Sequence, residues 1–327
     1  MNDAALHPGK FFIISFPENL PCDETLSFIQ DNHISGIILF GNHCEDRSSL
    51  KSWLRDFKKS LGRKLIVAVD QEGGCVRRFK RNFPGLESPR YYGYHNKFDQ
   101  YRDDLKRVCE ELHETGININ LVPTVDLFDT DDEHVLDTRT FSDDPEIVSR
   151  YARVTIDIHH EMGLLCCGKH FPGLGRSEND PHLSLSQCNL SEKDFFEFEL
   201  RPFSDIASHG VDSIMVTHLN IPRVDENPAV VSRVVINEWL KQKLKFENAV
   251  ITDDLLMLGA LEIDTAPNLA LRAFEAGVDF LLFGQKLKQT KDVYQDFSEK
   301  MVADYFSVQR IEDAALRADN LINQLNR

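Results

Sequence analysis

Gly163-Leu164-Leu165-Cys166-Cys167-Gly168-Lys169-His170-Phe171-Pro172-Gly173-Leu174-Gly175 joins a continuous apolar run to a polar tail broken by proline and glycine. Residues 163–167 read as a strand buried on both faces, because no polar side chain alternates through the run. Pro172, Gly173 and Gly175 then stop it. Lys169 and His170 therefore fall where a strand ends and a loop begins, and the same loop runs on to Asp180-Pro181-His182. A cation, two imidazoles and a carboxylate in one connection exceed what a turn requires. Their concentration points to binding or proton transfer.

Working outward, short apolar runs alternate with longer amphipathic segments along the whole chain. The expected strands are 11–16, 36–40, 65–70, 117–122, 163–169, 213–218, 249–253 and 280–284. Helical spacing links Phe195, Phe198 and Ile206, with Ser191 as N-cap, and also Trp239, Leu240 and Leu244. Ile311, Leu316, Leu321 and Leu325 mark a closing helix. Eight apolar strands, each followed by a helix, predict an α/β (β/α)₈ barrel of parallel strands. No linker or composition shift divides the chain, so residues 1–327 are expected to form one domain. In such barrels the chemistry gathers at the C-terminal strand ends. Asp70, Lys169-His170, His218 and Asp253-Asp254 all fall at that end.

The 327 residues are 42% hydrophobic, enough for a substantial core, and carry a formal net charge of −16. That balance argues against nucleic-acid or anionic-membrane partners, which need a basic face. The apolar runs are too short to span a bilayer. Met1–His7 shows no basic segment leading into an apolar one, so no secretory leader is expected. The seven cysteines include no Cys-x-x-Cys pair, which predicts reduced thiols and a cytoplasmic location.

Asp253 follows Ala249-Val250-Ile251-Thr252 and would project from a strand end into the barrel mouth. A carboxylate there can attack an anomeric carbon and form a glycosyl ester; the alternative is an N-cap for a helix beginning near Leu255, a role Asp254 fits better. His182 can exchange a proton with a leaving oxygen, and Asp180 can orient the ring and offset its charge. Alone, Asp-x-His also suits a surface turn. Asp70, Arg78, Arg139 and Lys169 suit the bracketing of vicinal hydroxyls, although each also has an ordinary capping or ion-pairing explanation. His170, His182, His218 and Asp253 lack a metal-binding spacing, so no metal is expected and metal-dependent hydrolysis is left as a minor alternative. Gly73-Gly74 forms no nucleotide loop, so no organic cofactor is expected either. His159-His160 sits within an amphipathic helix and reads as structural.

Taken together, several blocks resemble glycoside hydrolase family 3, specifically its compact bacterial β-N-acetylhexosaminidases. They are Gly36-Ile37-Ile38-Leu39-Phe40-Gly41, Val69-Asp70-Gln71-Glu72-Gly73-Gly74, Arg139-Thr140-Phe141, Lys169-His170-Phe171-Pro172-Gly173, Asp180-Pro181-His182, Met215-Val216-Thr217-His218, Thr252-Asp253-Asp254-Leu255-Leu256-Met257 and Glu275-Ala276-Gly277-Val278-Asp279. The resemblance implies a retaining exo-enzyme acting on terminal β-linked N-acetylglucosamine. Asp253 would be the nucleophile, with the His182–Asp180 dyad as acid/base. Asp70, Arg78, Arg139, Lys169 and His170 would bind the sugar, without metal or cofactor. It further implies the trimming of muropeptides during peptidoglycan recycling; separately, the chain is expected to be a monomer. The chain departs from the family's pattern at Cys75, Leu174, Arg176, Ser177 and Pro181. These departures keep open a β-glucosidase or β-xylosidase specificity, or a catalytically silent sugar-binding homologue.

Overall fold

A computed structural model describes residues 7–128, 136–177 and 184–325. Eight parallel strands form one sheet: β1 (Phe12–Ile14), β2 (Gly36–Leu39), β3 (Ile66–Val69), β4 (Ile119–Asn120), β5 (Leu165–Phe171), β6 (Ser213–Val216), β7 (Ala249–Thr252) and β8 (Leu281–Phe283). β8 pairs with β1, each later strand pairs with its predecessor through β7, and a parallel bridge between Ile251 and Phe280 closes the ring. This is the (β/α)₈ barrel expected from the sequence, with a strand at each of the eight apolar runs; β5 starts and ends two residues later than expected, so Lys169 and His170 lie within the strand and not at the start of the loop.

The strands are buried along their whole length because helices cover the outside while side chains fill the inside. Ile13, Ile38, Ile66, Ala68, Ile119, Leu165, Cys167, Met215 and Ile251 pack together within the barrel. Leu321 and Leu325, at the end of the helix Val308–Gln324, join that interior cluster and close the barrel floor. Lys64 Nζ donates to the carbonyls of Asn323 and Leu325, fixing the plug.

Two helix expectations need correction. Leu316 is 61% exposed, and the buried face of the last helix is carried instead by Ile311, Ala314, Ala315, Ala318 and Leu321. Five residues from Ile311 is more than a full α-turn, so Leu316 rotates away from the sheet. Ser191 does cap its helix, in a reciprocal box with Asp194. The next turn, Phe195–Glu199, takes the wider π-helical pitch, which turns Phe198 outward and Glu199 inward. His159 is structural as expected. It is buried, with Nδ1 at 2.7 Å from the Thr155 carbonyl and Nε2 at 3.1 Å from Asn120 Nδ2.

Candidate active site

Strand alternation fixes which polar side chains reach the barrel mouth. Ala68, Cys167 and Ile251 point inward, so Asp70, Lys169 and Asp253, two residues on, point inward one layer higher. All three line a cavity of about 320 Å³ at the C-terminal ends of the strands. Glu72, Arg78, Arg139, His170 and Asp254 complete its polar wall, opposite an apolar side that includes Phe40, Leu121 and Met257.

The charges form a continuous ladder. Arg78 Nη2 donates to Asp70 Oδ2 at 2.8 Å, and its guanidinium lies over the Phe40 ring. Lys169 Nζ is 2.8 Å from Asp70 Oδ1 and 2.6 Å from Glu72 Oε1. Arg139 grips Glu72 with two bonds, Nε to Oε2 at 2.8 Å and Nη2 to Oε1 at 2.9 Å. Burial alone would raise the two carboxyls, but the facing cations outweigh it. Lys169 and Arg78 hold Asp70 far below the carboxylate range, and Arg139 and Lys169 hold Glu72 at about 2. Burial likewise opposes the charge on Lys169, yet Asp70 and Glu72 raise its pKa. These groups are fixed ions, not proton carriers.

His170 lines the same cavity with its ring held between two charged residues. Arg139 Nη2 lies 3.2 Å from Nε2, and a guanidinium can only donate, so Nε2 accepts. Nδ1–H then donates to Asp126 Oδ2 at 2.8 Å. With both ring nitrogens engaged, His170 lines the cavity while connecting Arg139 to a carboxylate behind it.

Asp253 continues β7, its N–H donating to the Val216 carbonyl at 2.9 Å. Its Oδ1 accepts from the Asp254 N–H at 2.8 Å, and Thr217 Oγ1 lies 3.4 Å from Oδ2. Asp254 does not cap a helix starting at Leu255; the helix begins at Leu258 behind Met257. Asp254 Oδ1 instead accepts from the N–H groups of Leu256 and Gly284, both at 2.9 Å, tying the end of β7 to the end of β8. Burial raises its pKa. His218 Nε2 donates to the Asp254 carbonyl at 3.0 Å, so it supports this turn.

Asp180 and His182 lie outside the described residues. The base of their loop is described and is anchored from two sides. Asp126 accepts from the His170 and Leu174 N–H groups at 3.2 and 2.8 Å. Gly173, at φ +121°, packs on the Glu199 side chain, and a Cβ on Gly175 would lie 1.7 Å from the Leu127 carbonyl oxygen. Asp126, Glu72 and Glu199 had no role assigned from sequence. Asp126 was detectable as the one acid in the otherwise uncharged stretch Leu121–Phe128. Among the described residues, no group of three or more His, Cys, Asp or Glu side chains is arranged to hold a metal ion, and no helix is long and apolar enough to cross a membrane.

Residues 12–321 match the N-terminal domain of glycosyl hydrolase family 3. The chain belongs to glycosyl hydrolase family 3. A β-hexosaminidase of Tolumonas auensis is 34% identical over 255 residues, covering 76% of this chain and 75% of that one. A β-hexosaminidase of Hydrogenovibrio crunogenus is 31% identical over 259 residues, covering 77% and 72%. In fold, the chain resembles a family 3 β-N-acetylglucosaminidase of Paenibacillus at TM-score 0.94 and 23% identity; it is covered over 99% of its length and spans 63% of that chain. A β-N-acetylhexosaminidase of Beutenbergia cavernae superimposes at TM-score 0.89 and 22% identity, with 99% of both chains covered. As a member of glycosyl hydrolase family 3, this chain is a glycoside hydrolase.

Proposed function

We propose that this family 3 enzyme is a retaining exo-β-N-acetylhexosaminidase that releases terminal β-linked N-acetylglucosamine, with muropeptides as the natural substrate class. The observation that carries the reading is Asp253. It is an inward carboxylate at a strand end, oriented through its own Oδ1, in the same cavity as three fixed cations. The names of the Tolumonas and Hydrogenovibrio relatives support the choice of hexosamine.

In this reading Asp253 attacks the anomeric carbon as the glycosidic bond breaks. The leaving oxygen takes a proton from His182, whose charge Asp180 stabilises. A glycosyl ester on Asp253 results, and water activated by the same imidazole hydrolyses it. Arg78, Lys169 and Asp70 bracket the ring hydroxyls. The ladder costs no reorganisation as charge develops, because its members are already paired.

The test combines Asp253→Asn with a fluorinated N-acetylglucosaminide that slows breakdown of the intermediate. Turnover is expected to vanish in the variant, and the label in the native enzyme to map to Asp253; a label elsewhere refutes the assignment. Aryl glycosides with and without the 2-acetamido group then decide between hexosaminidase and glucosidase.

A further inference from the structure

Glu199 is a buried acid that this mechanism leaves unused. It closes the π-helical turn Phe195–Glu199, and its side chain is 2% exposed. Oε1 lies 3.5 Å from Arg176 Nε, an ion pair too long for a strong hydrogen bond. Oε2 is buried and has no hydrogen-bond partner among the described residues. Directly above it sits Gly173, whose missing Cβ would come within 3.1 Å of Oε2. Thus one carboxyl touches the loop after β5 at two points, positions 173 and 176. Those positions lie between His170 and the Asp180–His182 pair in sequence. Arg176, one of the chain's departures from its family's pattern, supplies the partner charge.

We propose that Glu199 is a positioning residue, whose carboxylate draws in Arg176 and so fastens segment 173–176 for catalysis. This rests on the reading that the loop supplies the acid/base. An unpartnered buried carboxylate is expensive to desolvate, so a weak pair leaves the acid poised between its two states. Burial raises its pKa to about 7, with Arg176 opposing and Asp126, from the segment after β4, adding to the rise. On its own turn, Glu197 is engaged by Lys193 at the surface. The ionised acid fastens the loop; protonation releases Arg176. The dependence therefore has a sign, with fastening gained as pH rises through neutrality.

The experiment compares the native enzyme with Glu199→Gln, Arg176→Gln and the double variant. It follows kcat and KM on an aryl N-acetylglucosaminide from mildly acid to mildly alkaline pH, and amide hydrogen exchange over residues 170–177. Each single variant is expected to lose roughly tenfold in kcat at alkaline pH with KM nearly unchanged, since small displacements of an acid/base are costly. One ionisation near neutrality should leave the pH profile, exchange at 173–177 should quicken, and the double variant should be no worse than either single. Native exchange rates with a native pH profile in both singles overturn the proposal. If the native enzyme hydrolyses no glycoside, the functional reading fails instead, and the exchange measurement still decides whether Glu199 fastens the loop.

Discussion

Lys169 Nζ lies 2.8 Å from Oδ1 of Asp70, joining two residues 99 positions apart across the barrel mouth. The contact is a consequence of alternation: each residue is the next inward position beyond a barrel-filling side chain, on strands separated by β4. Because the ammonium also meets Glu72, it is the hinge of the whole ladder.

Removing that cation leaves two buried carboxylates facing each other. Lys169→Met is expected to destabilise the fold by about 3–5 kcal/mol, the usual consequence of stripping one partner from a buried pair. Activity should disappear with it. Urea unfolding monitored by tryptophan fluorescence measures the first and aryl-glycoside turnover the second; a variant as stable as the native enzyme contradicts the ladder.

The same ladder sets an acid limit. The Glu72 carboxyl falls from 4.5 to about 2 in the folded state. A depressed carboxyl contributes stability above its unfolded value and loses it as pH falls through the folded one. The native enzyme should therefore lose stability between pH 4.5 and 2, by on the order of 3 kcal/mol from this group. Glu72→Gln should be less stable than native above that window and converge with it below. Parallel pH–stability curves for the two proteins contradict the assignment.

How much of this was legible beforehand follows from how each residue is specified. The barrel was legible because parallel strands covered on both faces must be written as unbroken apolar runs. Asp70, Lys169 and Asp253 were legible because a strand end is recognisable in sequence, and parity then sets their direction. Glu199 was not, and Asp126 showed only as a lone acid in an apolar stretch, because their roles arise from contacts between loops. In Phe195-Phe196-Glu197-Phe198-Glu199 both acids have apolar neighbours. Only the π-helical pitch buries the second and leaves Glu197 outside. Leu316 misled for a related reason: small alanines, weak signals in a hydrophobic pattern, carry the face that the last helix buries.

Asp126 makes a sharper prediction. Its carboxylate accepts three N–H donors, from the His170 backbone, the His170 ring and Leu174. Asp126→Asn places an amide donor among those donors, so His170 loses the acceptor that fixes its tautomer and Arg139 loses its support. Expected are a kcat decrease of about 100-fold or more, by analogy with the amide variant of a triad aspartate, and a stability loss of ~2 kcal/mol from unmet buried donors. Steady-state kinetics on a variant shown to be folded by circular dichroism provides the check, and near-native kcat contradicts the role.

Gly284 tests the turn beneath Asp253. A Cβ there would lie 2.3 Å from Asp254 Oδ2, whose carboxylate is held by the Gly284 and Leu256 N–H groups. Gly284→Ala should force that carboxylate aside, destabilise by ~1–3 kcal/mol and lower kcat through the displaced Asp253. Gly41→Ala, where a Cβ meets nothing within 4 Å, is the control and should alter neither. Equal behaviour of the two variants would show that Asp254 does not set the position of Asp253.

Stability at Glu199 runs opposite to that at Glu72. Its carboxyl rises from 4.5 to about 7 on folding, so the folded state holds the proton more tightly than the unfolded chain. A raised carboxyl makes stability fall as pH climbs from 4.5 to 7, and above that window the enzyme carries a poorly paired buried charge. Glu199→Gln keeps the shape and removes the ionisation. Its melting temperature should exceed the native value at mildly alkaline pH, and the gain should shrink to nothing near the lower end of the window. Calorimetric scans of both proteins across that range make the comparison. A constant difference at every pH would mean that Glu199 does not titrate in the fold. A gain confined to alkaline pH, found together with slower turnover, would show stability given up at the position that serves the reaction.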